Sequence, residues 1–287
     1  MANVFTRLLL KFLLTAVGIV LVAGVPALFD GMALDFPAYI TSIGSLFTNI
    51  FDLDALNYTV NERDFPLFPK LWSKWGYSMI LLIVAFFMAF IVSLLLTYGT
   101  MLLPQKVRDK ISFMLLLLES IPDVLIIGLF TIIFLSIYKS TGVRIFNIVA
   151  FGDDRIYVLP IVVLTILPIL LFYRIMMHDF EDELNKSYVD LAKSRGLNDS
   201  ELLFNHVLRN AIISIFAHSK SILWFMLSNL LLIEYVFNLA GLMRFMFDFY
   251  SPEVLTVGLL LIFVPIYMMQ AVGQILIEKV TEQRIEI

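Results

Sequence analysis

Long apolar runs, separated by short polar segments, dominate the hydrophobic pattern of the chain. An α-helix that crosses a bilayer needs about 20 mostly apolar residues, at a rise of about 1.5 Å per residue. Six segments have this length and composition, approximately 12–29, 77–103, 111–138, 156–173, 211–236 and 254–277. The pattern therefore predicts an all-α integral membrane protein with six transmembrane helices, organised as a single domain over residues 1–287.

The distribution of Lys and Arg predicts the orientation of these six helices. If the amino terminus is inside, the inner segments hold 12 of the 20 Lys and Arg residues within 65 residues, and the outer segments hold seven within 80. The inner segments are 1–11, 104–110, 174–210 and 278–287, and the outer segments are 30–75, 139–155 and 237–253. Because cytoplasmic loops retain an excess of Lys and Arg, both termini are expected in the cytoplasm.

Composition excludes several classes of protein. Hydrophobic residues make up 60% of the chain and charged residues 15%, whereas soluble domains are about half apolar and a quarter charged. A net charge of −4 gives no electrostatic footprint for nucleic acid. The chain contains no cysteine, which excludes disulfides and thiolate metal sites. The amino-terminal apolar segment has features of a signal peptide, but we interpret it as a retained anchor.

Two of the predicted loops have features of their own. The external insertion 30–75 is too long for a plain connection. Within it, the sequence FPAYITSIGSLFTNIF is apolar enough to form an amphipathic helix lying on the surface. On the cytoplasmic side, the coupling loop 174–210 contains the charged stretch YVDLAKSRGLNDSELLFNHVLRNA at positions 188–211.

The local chemistry of this charged stretch predicts a helix, a tight turn and a second helix. Lys193 and Arg195 would lie in the last turn of the first helix, where cations complement the helix dipole. Gly196 can adopt the left-handed conformation that ends a helix. Asn198 is a favourable N-cap, and Glu201 three residues later completes a capping box, with Leu197 and Leu202 placed as a hydrophobic staple.

A charged cytoplasmic stretch is often only a solvated loop, but this stretch also carries apolar positions that such a loop does not need. They are Val189, Leu191, Ala192, Leu203, Phe204, Val207 and Leu208. A short, rigid helical pair with one polar and one apolar face is typical of a docking element for another protein.

The same stretch resembles the cytoplasmic EAA loop of binding-protein-dependent ABC importer permeases of the oligopeptide/dipeptide/nickel family. Asp190, Leu191 and Ala192 stand at the first three places of the motif, and Gly196 stands at its Gly. The ending His206-Val207-Leu208-Arg209-Asn210-Ala211 is similar to the His-x-Leu-Arg-Asn-Ala ending of the peptide branch. A second block resembles the family's Glu-x-Val-Phe-Asn-x-Pro-Gly-Leu segment, with matches at Glu234, Val236, Phe237, Asn238, Gly241 and Leu242 and with Ala240 replacing the Pro.

The resemblance implies the type I permease fold of ABC importers, with EAA-type coupling helices, in the bacterial cytoplasmic membrane. It implies that a second homologous permease, two ATP-binding subunits that hold ATP and Mg²⁺, and an external substrate-binding protein complete the transporter. The residues implied to couple to the ATPase are Tyr188, Asp190, Ala192, Arg195, Gly196, Asn198, Glu201, His206 and Arg209. Gly241 and Leu242 would belong to an external gate loop.

The chain itself has no sequence feature of an enzyme or a metal site. It contains no G-x-x-x-x-G-K-[ST] phosphate-binding loop, so we expect no cofactor in this chain and ATP hydrolysis on separate subunits. The three histidines, His178, His206 and His218, have no pairwise spacing that would place two of them on one helical face. The acidic group at 179–183 is interpreted as solvating the exit of the fourth span.

Ionisable residues within apolar spans usually face a partner or a water-filled cavity. Glu119 and Lys220 are predicted at similar depths, about 12–14 Å into the third and fifth spans, where they could pair. Such a pair could belong to the translocation pathway or be a structural ion pair without a role in transport. Pro122 is expected to kink the third span. Asp123, Asn229 and Glu234 would lie in the outer halves of their spans as translocation-pathway residues, although capping of the following loop explains Glu234 nearly as well.

We therefore interpret the chain as a permease subunit that imports oligopeptides or dipeptides by alternating access, within membrane lipid. Import of nickel or another small solute is the alternative within the family. An ion-gradient-driven transporter, with Glu119, Asp123 and Lys220 as a relay, is the alternative from another class, and a membrane scaffold is a third.

Overall fold

The computed structural model describes residues 2–31, 33–50, 52, 56–60, 62–141 and 155–281. Within these residues the fold is almost entirely helical. The helices are α1 (Ala2–Ala23), α2 (Phe36–Asn49), α3 (Lys70–Met101), α4 (Gln105–Glu119), α5 (Asp123–Thr141), α6 (Val158–Leu184), α7 (Ser187–Ser194), α8 (Asp199–Leu202), α9 (Leu208–Val236), α10 (Leu242–Asp248) and α11 (Pro252–Thr281).

Among the described residues, four short strands lie in or directly before the predicted external insertion. They are β1 (Phe29–Asp30), β2 (Ala33–Leu34), β3 (Asn57–Val60) and β4 (Arg63–Pro66). β1 pairs with β2 and β3 with β4, and both pairs are antiparallel. The outer segment 139–155 and the segment 278–287 fall largely outside the described residues.

The prediction of six membrane-crossing segments is confirmed by length and composition. Six helical segments in the described part of the chain are long and apolar enough to cross a bilayer. They are Thr6–Ala23, Lys70–Met101, Asp123–Ser140, Val158–Leu184, Ser200–Val236 and Pro252–Ile277.

The predicted third span, 111–138, is wrong as one continuous helix. The structure divides it into α4 and α5, with a break at Ser120–Pro122. Pro122 has no backbone N–H and disfavours the helical conformation of the residue before it. The Ser120 hydroxyl donates to the carbonyls of Leu116 and Leu117, at 3.1 and 2.8 Å, and thereby satisfies acceptors at the end of α4. Only α5 is then apolar enough to cross the membrane.

The chain separates into two compact units. The first contains residues 1–79 and 240–275, and the second contains residues 80–239 with 276–287. In the first unit, α1 and α11 pack through stacked Phe12 and Phe263, whose ring centroids are 5.4 Å apart. The hydroxyl of Tyr267 in α11 also donates to the Leu8 carbonyl at 2.6 Å.

In the second unit, α6 and α9 pack extensively against each other. Phe172 of α6 is fully buried, with ring centroids 5.6 Å from Phe86 and 5.7 Å from Phe90 of α3. A smaller apolar cluster of Ile126, Leu167 and Leu170 joins α5 to α6. The carboxyl end of α6 and the amino end of α9 therefore lie side by side, and α7 and α8 connect them.

Candidate coupling site and pathway residues

The predicted end of the first cytoplasmic helix is confirmed. Gly196 adopts the left-handed conformation, with φ of +83°. Its N–H donates to the Lys193 carbonyl at 3.0 Å, and the Leu197 N–H donates to the Ala192 carbonyl at 3.4 Å. These two bonds form a Schellman motif, which satisfies carbonyls that the end of α7 would otherwise leave unpaired.

The start of the next helix is also confirmed, although only one arm of the capping box forms. The Asn198 side-chain oxygen accepts from the Glu201 N–H at 2.7 Å. Among the described residues, the Glu201 side chain makes no reciprocal bond to Asn198. Asn198 therefore caps α8 by itself, and the turn between α7 and α8 is fixed from both sides.

The second helix of the coupling element does not end before the membrane. α8 continues through a π-helical segment, Leu203–Val207, directly into α9. Such π-helical segments occur frequently at functional sites. The result is one helical run from Asp199 to Val236. No flexible linker therefore separates the turn at Gly196 from a membrane-crossing helix.

The coupling element has one buried and one exposed face. Val189, Ala192, Leu203 and Val207 are buried against the second unit. Most of the predicted coupling residues are exposed, namely Asp190, Arg195, Gly196, Asn198, Glu201, His206 and Arg209, whereas Ala192 is buried and Tyr188 is half-buried. Two large apolar side chains, Leu191 and Phe204, are 55% and 64% exposed beside them. This exposed face combines charged residues with apolar area, and protein–protein interfaces commonly contain both.

A buried carboxylate anchors the base of this element. Glu183, at the end of α6, is only 8% exposed. It accepts hydrogen bonds from the Tyr188 hydroxyl of α7 at 2.6 Å and from the Asn210 amide of α9 at 3.4 Å, and it also pairs with Lys186. One side chain thus ties together α6, α7 and α9. The interpretation that the whole acidic group only solvates the fourth span is wrong for Glu183.

Tyr188 acts in this network as a hydrogen-bond donor. Burial, and then the hydrogen bond to Glu183, raise the pKa of Tyr188 to about 12. The phenol therefore remains protonated at neutral pH and donates to the carboxylate. A second contact, 2.5 Å between the hydroxyls of Tyr98 in α3 and Ser200 in α8, attaches the other side of the element.

The predicted pairing of Glu119 with Lys220 is wrong. Glu119 pairs instead with Arg174 of α6, at 2.6 Å between Oε1 and Nη1. The break after α4 causes the difference, because it places Glu119 at a helix end beside α6 instead of inside a continuous span. Lys220 is exposed and has no ion pair within the described part of the chain.

The Glu119–Arg174 pair lines a partly open cavity of about 340 Å³ between α4 and α6. Polar groups from both helices share this cavity, including Ser112, whose hydroxyl lies 3.2 Å from that of Tyr173. Its other lining residues are Asp109, Leu115, Leu116, Leu170, Met177, His178 and Glu181. Polar and apolar walls of this kind suit a water-filled recess.

The structure brings two of the other predicted pathway residues together. The Asn229 amide donates to the Asp123 carboxylate at 3.1 Å, joining the first turn of α5 to α9. Glu234 lies five residues further along α9 and is fully buried. The end of α9 is capped by backbone bonds, since Asn238 is left-handed (φ +53°) and the Leu239 N–H donates to the Glu234 carbonyl at 2.8 Å.

In the first unit, the predicted gate residues begin α10. Gly241 is the N-cap of α10, and the Leu242 N–H donates to the Ser78 hydroxyl of α3 at 2.8 Å. Tyr58 of β3 contacts α10 from the other side, with ring centroids 5.2 Å from Phe245 and 5.1 Å from Phe249. The external insertion thus contacts α10, the helix that the predicted gate residues begin.

Comparison with known proteins decides the family. Residues 96–278 match the model of the binding-protein-dependent transport system inner membrane component. The chain belongs to this family. The matched region contains all the coupling residues and all the pathway residues named above, whereas α1 and the external insertion lie outside it.

Three relatives illustrate the range of this transport family. The metal-staphylopine import system permease CntB of Staphylococcus aureus is 28% identical over 62% of this chain and 55% of its own length. The dipeptide transport system permease DppB of Lactococcus lactis is 24% identical over 37% of this chain and 35% of its own length. A putative peptide transport system permease of Brucella abortus is 24% identical over 74% of this chain and 68% of its own length. The chain thus spans little more than half the length of CntB.

A solved structure confirms the fold. The chain resembles the inward-facing MetNI methionine ABC transporter with a TM-score of 0.53 and 15% identity, over 74% of this chain and 94% of that one. The chain therefore has the type I importer fold that the resemblance implies.

Two residues that contact the candidate site, Glu183 and Arg174, were not identified from the sequence alone. Glu183 is hidden within a run of acidic residues, although its spacing from Lys186 (i, i+3) is a signal of local pairing. Arg174 carries no local signal, because its partner Glu119 is 55 positions earlier in the chain.

Proposed function

We propose that this permease is one transmembrane subunit of an ATP-driven importer of oligopeptides or dipeptides. Two ATP-binding subunits would power the transporter, and one of them would contact the exposed face around Leu191, Gly196 and Phe204. A second homologous permease would complete the pathway, and an external binding protein would deliver the peptide. Both termini would lie in the cytoplasm of a bacterial cell. Relatives named as dipeptide and peptide permeases support the substrate class.

The observation that carries the coupling role is the continuity between the turn and the fifth span. The Schellman turn at Gly196 is followed by an unbroken helical run from Asp199 to Val236. Motion imposed on the exposed face by ATP-driven closure would be conveyed along this run to the pathway residue Asn229, and from there to Asp123.

The name of CntB favours one second candidate, which is import of a small metal chelate. Both candidates use the same coupling element, and they differ only in what the external protein delivers. Membership of a binding-protein-dependent family does not favour an ion-gradient-driven transporter.

Gly196→Val tests the coupling role. A Cβ at position 196 would meet no atom within 4 Å, so the substitution acts only through the left-handed φ of +83°. That conformation costs a β-branched residue at least about 1–2 kcal/mol, which the chain avoids by straightening the turn. Ser194→Val, two positions earlier in α7, is the matched control because its backbone is helical.

In proteoliposomes with all subunits, we expect Gly196→Val to assemble normally and to lose both peptide uptake and substrate-stimulated ATP hydrolysis. Ser194→Val should retain both activities. If Gly196→Val transports peptide at the wild-type rate, the coupling role is wrong. Uptake of metal chelate without peptide by the unmodified complex would instead select the second candidate.

A further inference from the structure

α2 lies next to the end of the first span and contains no charged residue. Its 14 residues read FPAYITSIGSLFTN. The Asp35 side chain caps its start by accepting from the Ala38 N–H at 2.9 Å. Pro37 stands in the first turn, where its missing N–H has no cost. Asp35 therefore fixes the start of the helix, and the helix itself has no charged side chain that would favour contact with water.

Contacts within the first unit fix the position of α2 relative to α1. The Tyr39 hydroxyl donates to the Leu21 carbonyl at 3.1 Å. A Cβ added to Gly24 would lie 3.1 Å from Cγ1 of Ile43, so the Ile43 side chain packs closely against the backbone at Gly24. Leu46 is buried on the same side of the helix. α2 thus packs beside the last turn of a helix that is long and apolar enough to cross the membrane.

The rest of the α2 surface has two sectors, an apolar one next to these contacts and a polar one farther from them. At about 100° per residue, Phe36, Ile40 and Phe47 fall within about 40° of one another around the helix. They are 58%, 68% and 40% exposed. Thr41 and Thr48 lie about 80–140° away from these apolar residues and are also exposed. Their hydroxyls bond to carbonyls of the helix itself, at 2.9 and 2.8 Å.

We infer that α2 lies in the plane of the membrane interface, with Phe36, Ile40 and Phe47 in lipid and the threonines toward water. Continuity with the span identifies lipid as the partner. The last two turns of α1 also expose apolar side chains, Val17, Leu21 and Val22, and α2 begins where those side chains end. An uncharged amphipathic helix at that height meets the boundary between headgroups and acyl chains.

In the proposed orientation this is the outer leaflet. The inference concerns lipid, so it does not depend on which solute the permease carries. Its consequence is that the external insertion is held at the membrane surface by lipid contact as well as by α1. If the chain had the opposite orientation, α2 would lie in the other leaflet and its contact with lipid would be the same.

The chain has no native cysteine, so single cysteines can report the environment of each sector. Nitroxide spin labels are placed at Ile40 and at its neighbour Thr41, and separately at Phe47 and at its neighbour Thr48. The complete complex is reconstituted in phosphatidylcholine–phosphatidylglycerol liposomes. Power-saturation electron paramagnetic resonance then compares collisions with oxygen, which concentrates in lipid, and with a water-soluble nickel chelate.

We expect the labels at Ile40 and Phe47 to collide with oxygen several-fold more than with the nickel chelate, and those at Thr41 and Thr48 to show the reverse. If all four labels are accessible to the nickel chelate, α2 lies in water and the inference is wrong. If the labels at Ile40 and Phe47 are shielded from both reagents, a protein subunit covers this face and the inference is equally wrong. The pair Ile40/Thr41 and the pair Phe47/Thr48 must give the same pattern of collisions, so that a local disturbance by one label does not decide the result.

Discussion

The buried carboxylate of Glu183 offers a direct test of how the coupling element is held. It accepts bonds from Tyr188 of α7 and Asn210 of α9, and it pairs with Lys186. Glu183→Ala removes all three interactions at once. We expect this variant to loosen the base of α7 while leaving the Schellman turn at Gly196 intact, because that turn uses only backbone bonds.

The magnitude follows from the individual contacts. A hydrogen bond to a charged group contributes about 1.5–3 kcal/mol, and the 2.6 Å bond from Tyr188 belongs to this class. The Asn210 bond is long at 3.4 Å and should contribute less. Lys186 is more than half exposed, so its ion pair contributes only about 0–1 kcal/mol. Glu183→Ala should therefore weaken the attachment of α7 by about 2–4 kcal/mol, and the control Lys186→Ala by about 0–1 kcal/mol.

The attachment should not vary with pH near neutrality. The raised pKa of Tyr188, about 12, means that its contribution is fully present below the ordinary tyrosine pKa of 10.0. The contribution is lost only as the pH rises through about 12. Between about pH 6 and pH 9 the phenol remains a donor to Glu183, so any change in coupling across that range has another origin.

The assay follows a spin label at Ser194, the exposed last residue of α7, in the assembled transporter. We expect Glu183→Ala to increase label mobility and to reduce substrate-stimulated ATP hydrolysis and uptake, with normal membrane abundance. Lys186→Ala should resemble the parent protein in all of these measurements. If Glu183→Ala leaves both label mobility and transport unchanged, the carboxylate does not hold the coupling element and this reasoning is refuted.

Two further predictions concern the ion pair at the helix break and the orientation of the chain. Because Arg174 is more than half exposed, Arg174→Ala should destabilise the purified chain by about 1 kcal/mol or less. In a double-mutant cycle Glu119→Gln should partly rescue this loss, whereas the control Lys220→Met should be nearly neutral. Additive effects of Arg174→Ala and Glu119→Gln on thermal unfolding would contradict the pairing. A single cysteine at the exposed Thr59 should react with an impermeant thiol reagent on intact cells, and one at Ser194 should not; labelling of Ser194 from outside would reverse the proposed orientation.

Several features of the permease could be predicted from the sequence because they depend on neighbours along the chain. The six apolar segments follow from a length requirement that each segment meets by itself. The turn between α7 and α8 follows from Gly196 and Asn198, whose effects act over three or four residues. The family resemblance rests on the same local motifs, and the family match confirms it.

The tertiary structure decided which distant groups meet. Depth along a helix could not identify the partner of Glu119, because the break at Ser120–Pro122 turns it toward Arg174. The contact between Asp123 and Asn229 spans 106 positions. The sequence predicts Glu183 to be one of four solvated carboxylates, but in the fold Tyr188 of α7 and Asn210 of α9 both donate to it. A carboxylate has the same local sequence signal whether water or protein donors surround it, and only the packing of the helices determines which of the two it meets.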